Sequence, residues 1–383
     1  MRLLWVEPDR FRNLDRKTVE LHPRFNLLLG RNGQGKTNFL EAVGYLGSLR
    51  SFRSGGRVEM IRHGESAGRV TGAVSSGGLD RVLSFTLTGR GRQQYIDDQK
   101  VNSPEQYLQV LKVVHFIPED VSLVGGSPSW RRKVIDRAVF EIVPEYAREY
   151  RRYLSALRQR NALLRRGGGR FGELEGWNKA LAAAGAVLVC RRMELLHTLN
   201  PRMKHLGERL GLGPGLGLEY TPGFTVPDDA WPGGPGKLTQ LIGTIENSIL
   251  EELARVRTRE SRLGHSLAGP HRDNIQFTLG SPDHPTDLAR YGSQGQKRSA
   301  VLAFKLALAA AFRDTHGAWP LILLDDVASE LDETRRKALG SLVVDMKAQF
   351  LISTTGEEYM FLPSGEGKIW TVDQGELKPF GRS

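Results

Sequence analysis

The chain has 383 residues, enough for two or three domains with a sizeable core. Lys and Arg total 54 against 43 Asp and Glu, a net charge of +11 with pI ≈ 9.8, which points to a polyanionic partner: nucleic acid first, an anionic membrane surface second. The single cysteine, Cys190, excludes an intrachain disulfide, the run from Met1 to Arg10 breaks too early for a signal peptide, and the longest apolar stretch, Ala180 to Cys190, is well short of the roughly 20 residues of a spanning helix, so a soluble cytoplasmic protein is expected.

From Met1 to about Lys112 short apolar strands alternate with turns, as in Arg69–Val74 and Val82–Leu87, punctuated by Gly77-Gly78 and Gly89-Arg90-Gly91. Within this β-rich stretch Phe25–Leu29 reads as a buried strand. Phe39, Leu40, Val43 and Leu46 form a helical stripe a few residues later. Between them lies Gly30-Arg31-Asn32-Gly33-Gln34-Gly35-Lys36-Thr37, which fits the phosphate-binding pattern G-x-x-x-x-G-K-[ST] at every fixed position. The glycines let the backbone curl so that N–H groups face an anion, and the helix start adds its positive dipole end. Lys36 is expected to reach the β- and γ-phosphates of ATP, and the Thr37 hydroxyl to hold Mg²⁺.

From about Trp130 the pattern turns helical. Tyr146, Tyr150, Tyr153 and Leu157 make an apolar seam that Leu164 extends, with Arg148, Arg151, Arg152, Arg158, Arg165 and Arg166 between them. A second helical block is expected from about Leu174 to Arg209, then a Gly- and Pro-rich loop from Gly211 to Gly236, then a third block from about Leu238 to Arg262. The tyrosines serve either as core packing or as a base-stacking platform.

After Leu267 the pattern is αβ again. Tyr291-Gly292-Ser293-Gln294-Gly295-Gln296-Lys297-Arg298 precedes an Ala-rich helix over Ser299–Phe312, and its hydroxyl, glycine and helix start make either a second anion site or an ordinary capped helix. Leu321-Ile322-Leu323-Leu324-Asp325-Asp326 has the Walker B form. Asp325 is placed for the Mg²⁺ shell, and Asp326 to orient or deprotonate the attacking water. A helix over Glu333–Lys347 and a strand at Phe350–Ser353 follow. The expected architecture is α/β. An ATPase head with a mixed β-sheet is split into residues 1–112 and 265–383, around a mainly helical arm at 113–264.

Here a resemblance becomes specific. Ser293-Gln294-Gly295-Gln296 resembles the signature loop of ABC-type ATPases, and Ser329-Glu330-Leu331-Asp332 their D-loop. In that superfamily two heads sandwich two ATP molecules, each signature loop touching the γ-phosphate held by the other head. The helical insertion resembles the split heads of the SMC-like branch, although the arm is far shorter than an SMC coiled coil. Phe11-Arg12-Asn13, Lys36-Thr37-Asn38, Glu41-Ala42, Ser51-Phe52-Arg53, Phe116-Ile117-Pro118-Glu119-Asp120, Gly126-Ser127-Pro128 with Arg131-Arg132, and Ala268-Gly269-Pro270-His271-Arg272-Asp273 are together similar to the RecF family of bacterial DNA replication and repair proteins, over essentially the whole chain. The resemblance implies an ATP- and Mg²⁺-dependent homodimer on single-stranded and duplex DNA at gaps or junctions, with RecO and RecR as partners in recombinase loading and a role at stalled forks. It also implies a weak, DNA-stimulated ATPase acting as a timer, with Lys36, Asp325 and Asp326 as catalytic residues.

Several positions depart from the superfamily pattern. Asp326 stands where a Glu is usual, one methylene shorter, which favours slow turnover. No Gln occupies the Q-loop position, leaving Glu119 or Asp120. The switch His is replaced by Thr354 or Thr355, and His271 is either a ligand contact or a structural residue in a turn. A transporter ATPase subunit would be expected to carry the missing Gln and His, and a nuclease-partnered break-repair ATPase a long coiled coil.

Overall fold

The computed structural model describes residues 1–53, 55–167, 172–226, 241–281, 283–356 and 366–380. In chain order the elements are β1 (Arg2–Asp9), β2 (Val19–Glu20), β3 (Phe25–Leu29), α1 (Lys36–Ser48), β4 (Ala67–Ser76), β5 (Leu79–Thr88), β6 (Gly91–Ile96), β7 (Gln99–Lys100), α2 (Pro104–Tyr107) and β8 (Val113–Phe116). Then come α3 (Ser122–Gly125), α4 (Pro128–Ile142), α5 (Tyr146–Arg165), α6 (Glu173–Arg209), β9 (Gly217–Thr221), α7 (Ile242–Leu263), β10 (Asn274–Leu279), β11 (Thr286–Asp287) and α8 (Leu288–Tyr291). The chain closes with α9 (Gln294–His316), β12 (Leu321–Leu324), α10 (Glu333–Asp345), β13 (Phe350–Thr354), β14 (Gly367–Asp373) and β15 (Glu376–Pro379). Contacts divide it into two units: Met1–Asp120 with Leu308–Ser383, and Val121–Ala307, the division falling within α9.

The first unit holds two six-stranded sheets. One is antiparallel, in the order β2-β1-β4-β5-β6-β7; the other runs β15-β14-β3-β13-β12-β8, parallel except for β15. The central parallel strands are buried along their whole length, which is why they read as unbroken apolar runs rather than alternating ones. α1 shares one core with both sheets. Its Phe39, Leu40, Val43 and Leu46 cluster with Leu3, Val70 and Phe85 of the antiparallel sheet and with Leu28, Leu323 and Leu351 of the parallel one. Each such side chain removed from water contributes about 1.5–3 kcal/mol. Two polar side chains buried beside this core, Gln349 and Asn26, have their partners. Gln349 accepts from the Leu3 N–H at 2.8 Å and donates to the Leu3 and His22 carbonyls, and Asn26 bridges His22 and Phe350.

The second unit is mainly helical. α5, α6 and α7 pack on one another, and the tyrosine seam supplies packing: Tyr146 and Tyr153 are buried, while the six interleaved arginines of and just after α5 are exposed. Arg160 lies fully buried, bonding Glu260 (2.6 Å), Ser266 (2.7 Å) and Asn178 (2.6 Å). A second buried hub is Arg192, which donates to both carboxylate oxygens of Asp136 (2.7 and 3.0 Å), to Asp273 (2.8 Å) and to the Pro270 carbonyl (2.7 Å). Tyr146 donates to Asp136, and Tyr220 to Asp273. Burial works against the charge of Arg192, but the carboxylates outweigh it and hold the guanidinium ionised.

The loop expected over Gly211–Gly236 contains a strand. β9 pairs antiparallel with β10, Tyr220 opposite Ile275, and β11 completes a three-stranded sheet. Residues 227–236 of that loop and 238–240 of the expected third helical block lie outside the described residues. The helix expected from Ser299 begins earlier, at Gln294, and the one expected to end at Lys347 ends at Asp345.

Candidate active site

The glycine-rich loop joins β3 to α1, as the pattern requires. A Cβ on Gly30 would stand 2.4 Å from the Val372 carbonyl oxygen, and Gly35 caps α1 at φ 118°, a conformation that disfavours any side chain. Lys36 is buried, and its ammonium curls over the loop to the carbonyl oxygens of Gly30 (2.5 Å) and Arg31 (3.0 Å). Burial lowers its pKa from the ordinary lysine value, and the Asp326 and Asp325 carboxylates oppose that shift. Around the loop, the Gln34 carbonyl accepts from Gly375 N–H (2.7 Å) and Asn13 Nδ2 (3.3 Å), and Gln34 Oε1 accepts from Gln374 N–H (2.7 Å).

Four of the family-like segments meet at this loop and the helix that follows it. Arg12 grips the fully buried Glu41 of α1 with two bonds of 2.9 and 3.0 Å, and Ser51 donates to the same carboxylate. Asn38 donates to Asn13 (2.7 Å) and accepts from Arg53 (2.7 Å). These contacts lock the first turns of α1, and therefore the direction of its dipole, against the strand sheets.

Asp325 follows directly on β12, between β13 and β8. Its Oδ1 accepts from Thr37 Oγ1 at 3.1 Å and from Ser353 Oγ at 2.6 Å. Burial pushes the carboxyl above the ordinary aspartate value, while the Ser353 and Thr37 hydrogen bonds and the Arg53 charge pull it back. Asp326 adopts a left-handed backbone (φ 48°), its N–H donates to Ser353 Oγ at 2.9 Å, and its buried Oδ1 has no hydrogen-bond partner among the described residues. Ser353, which sequence reasoning missed, links the two acids. Its signal was a hydroxyl directly after the apolar run Phe350–Ile352, the first of three in a row with Thr354 and Thr355.

These residues suit Mg²⁺ with a phosphate ester. Thr37 and Asp325 offer hard oxygens at touching distance, and Mg²⁺ is held by one or two carboxylates and substrate phosphates rather than by a protein cage. The unpartnered Asp326 oxygen is a place for a water.

The second anion segment belongs to the other unit. Ser293 Oγ accepts from Gln296 N–H (3.2 Å) and Gln296 Oε1 accepts from Ser293 N–H (2.8 Å), a capping box on α9; Ser293 and Gln294 are exposed, Gly295 partly so. Ser329 donates to the Asp326 carbonyl at 2.9 Å, and Asp332 caps α10. Asp120 is buried and accepts from Ile117 N–H at 3.0 Å, whereas Glu119 is exposed. Thr354 is buried at the end of β13 and Thr355 half-buried. His271 packs in the second unit, with Tyr153 Oη at 2.6 Å from Nδ1 and the Ser266 carbonyl at 3.1 Å from Nε2. Burial lowers its pKa to about 4, so it is neutral, with the proton on Nε2.

The chain matches the family model described as RecF/RecN/SMC N terminal domain over residues 3–375. It is 35% identical to the DNA replication and repair protein RecF of Myxococcus xanthus (strain DK1622), across 97% of this chain and 95% of that protein. The chain belongs to the RecF family. A solved structure of the recombination mediator protein RecF with ATP, in the RecFOR pathway, is 27% identical with a TM-score of 0.81, covering 99% of each chain. The Smc head bound to the C-winged helix domain of ScpA shares the fold at 14% identity and a TM-score of 0.57, covering 100% of this chain and 98% of that one. The fold of this RecF-family chain is thus the α/β ABC-type ATPase head with a mixed sheet and a mainly helical insertion, as expected from its motifs. Among the described residues no helix is long and apolar enough to cross a membrane.

Proposed function

We propose that this chain is an ATP-dependent DNA-binding protein of recombinational repair, in which ATP binding drives homodimerisation on DNA at gaps or single-strand/duplex junctions and slow hydrolysis ends it. The observation that carries this reading is the convergence of Lys36, Thr37, Asp325 and Asp326 on one phosphate-binding loop. The resemblance to a RecF bound to ATP, the net charge of +11 and the exposed arginines on and beside α5 support it. RecO and RecR are its partners in recombinase loading, by the pathway named for the solved relative.

Lys36 and the loop N–H groups hold the β- and γ-phosphates, and Thr37 and Asp325 hold Mg²⁺, which when bound neutralises charge developing on the phosphoryl group. Asp326 takes the water. Being shorter than Glu, it reaches less far toward the reacting atom, so hydrolysis is slow and serves as a timer that DNA stimulates. Ser293 of each protomer serves the ATP of its partner.

Anisotropy of labelled duplex and gapped DNA tests this. Affinity should rise with a non-hydrolysable ATP analogue, and should fall with salt at a log–log slope of about −0.9 per phosphate neutralised. A DNA affinity indifferent to both would contradict it.

A further inference from the structure

The two acids at the end of β12 are not independent. The register of the parallel pair sets Leu324 opposite Ile352, so the next residues, Asp325 and Ser353, face each other where the strands separate. Ser353 has no exposed surface. Its single hydroxyl donates to Asp325 Oδ1 at 2.6 Å and accepts the Asp326 N–H at 2.9 Å. Only a hydroxyl can be donor and acceptor on so short a side chain. The first bond fixes which Asp325 oxygen is turned to Thr37. The second stabilises a left-handed backbone that a non-glycine residue adopts at a cost, and this backbone aims the Asp326 carboxylate, whose Oδ1 has no partner among the described residues.

We propose that Ser353 is the positioning residue of the nucleotide site: one buried hydroxyl sets both the metal-holding carboxylate of Asp325 and the water-holding carboxylate of Asp326, so that metal binding and hydrolysis depend on the same proton and lone pair. It touches neither nucleotide nor water and acts through the two aspartates. The inference rests on the reading of this site as one for Mg·ATP.

The test compares the full chain with Ser353→Ala and Ser353→Thr, using a fluorescent ATP analogue titrated in Mg²⁺ and in EDTA, alongside steady-state turnover. Ser353→Ala should bind nucleotide in EDTA like the parent. It should lose about tenfold of the Mg²⁺-dependent gain in affinity, the worth of one charge-assisted hydrogen bond. Its kcat should fall by at least about tenfold, and KM for ATP in Mg²⁺ should rise in step with the lost Mg²⁺ gain, about tenfold. Ser353→Thr keeps the hydroxyl and should keep the Mg²⁺ gain and most of kcat. A parental Mg²⁺ gain and kcat in the Ala variant would overturn the proposal. So would a Thr variant that loses both, since packing rather than the hydroxyl would then matter; this arm decides even if the Ala variant does not fold. A parent chain without any Mg²⁺-dependent ATP binding would instead overturn the site assignment, and this inference with it.

Discussion

Thr37 Oγ1 donates a hydrogen bond of 3.1 Å to Asp325 Oδ1, joining the first turn of α1 to the end of β12. The two motifs stand at opposite ends of the sequence, and the parallel sheet brings them together because β3 and β12 both flank β13. In open parallel sheets ligand sites form at the carboxyl ends of the strands, and that is where Lys36, Thr37, Asp325 and Asp326 lie.

Lys36→Met should weaken ATP binding by at least about tenfold, since it removes the buried ammonium that folds over the phosphate-binding loop. Lys36→Arg should fail nearly as badly, because a planar fork does not fit where a compact ammonium folds onto the Gly30 and Arg31 carbonyls. Calorimetric titration with ATP measures both; parental affinity in the Met variant would remove Lys36 from the site.

Asp326→Asn keeps size and removes the base. Turnover should drop by about 10²-fold or more with ATP affinity retained, and the dimer should persist longer on DNA. A single-turnover assay reads the chemical step directly, and an unchanged rate would assign the water to another group.

Arg192→Met should destabilise the second unit by about 3–5 kcal/mol, because it strands the carboxylates of Asp136 and Asp273 where burial already pushes Asp273 above the ordinary aspartate value. Urea unfolding monitored by circular dichroism gives the difference. A loss below about 1 kcal/mol would mean that the cluster rearranges to admit water.

His271 titrates at about 4 in the fold against an ordinary 6.5, held down first by burial and then by the Arg272, Arg132 and Arg160 charges, with the Ser266 carbonyl opposing. The folded state refuses a proton that the unfolded chain accepts. Its contribution to stability is therefore full above about pH 6.5 and is lost as pH falls toward 4, by up to about 3 kcal/mol. Urea midpoints of the parent and His271→Gln between pH 7 and 4.5 isolate this term. The parent should lose more stability than the variant across that window, and parallel curves would refute the assignment.

What the sequence displays and what it hides follow from range. The phosphate loop and the Walker B strand were legible because their chemistry is local: glycines where backbone meets backbone, and apolar runs where a strand is covered on both faces. β9 was hidden because Leu218, Glu219 and Tyr220 lie among glycines and prolines, and only pairing with β10 makes them a strand. Arg12 with Glu41, and Ser353 with Asp325, are contacts between separate elements that no spacing rule connects. The tyrosine seam was readable as a helix face, but the choice between packing and stacking needed the burial of Tyr146 and Tyr153.

The central claim is that ATP bound by one protomer is completed by Ser293 of the other, and sedimentation velocity with ATP tests it most directly. The parent chain should shift from monomer to dimer when ATP is added. Ser293→Arg should bind ATP as the parent does and remain monomeric, because a bulky cation at the exposed start of α9 would meet the partner's Lys36 and Mg·ATP. A Ser293→Arg chain that dimerises normally with ATP would contradict the account, leaving that segment only the helix cap it makes with Gln296.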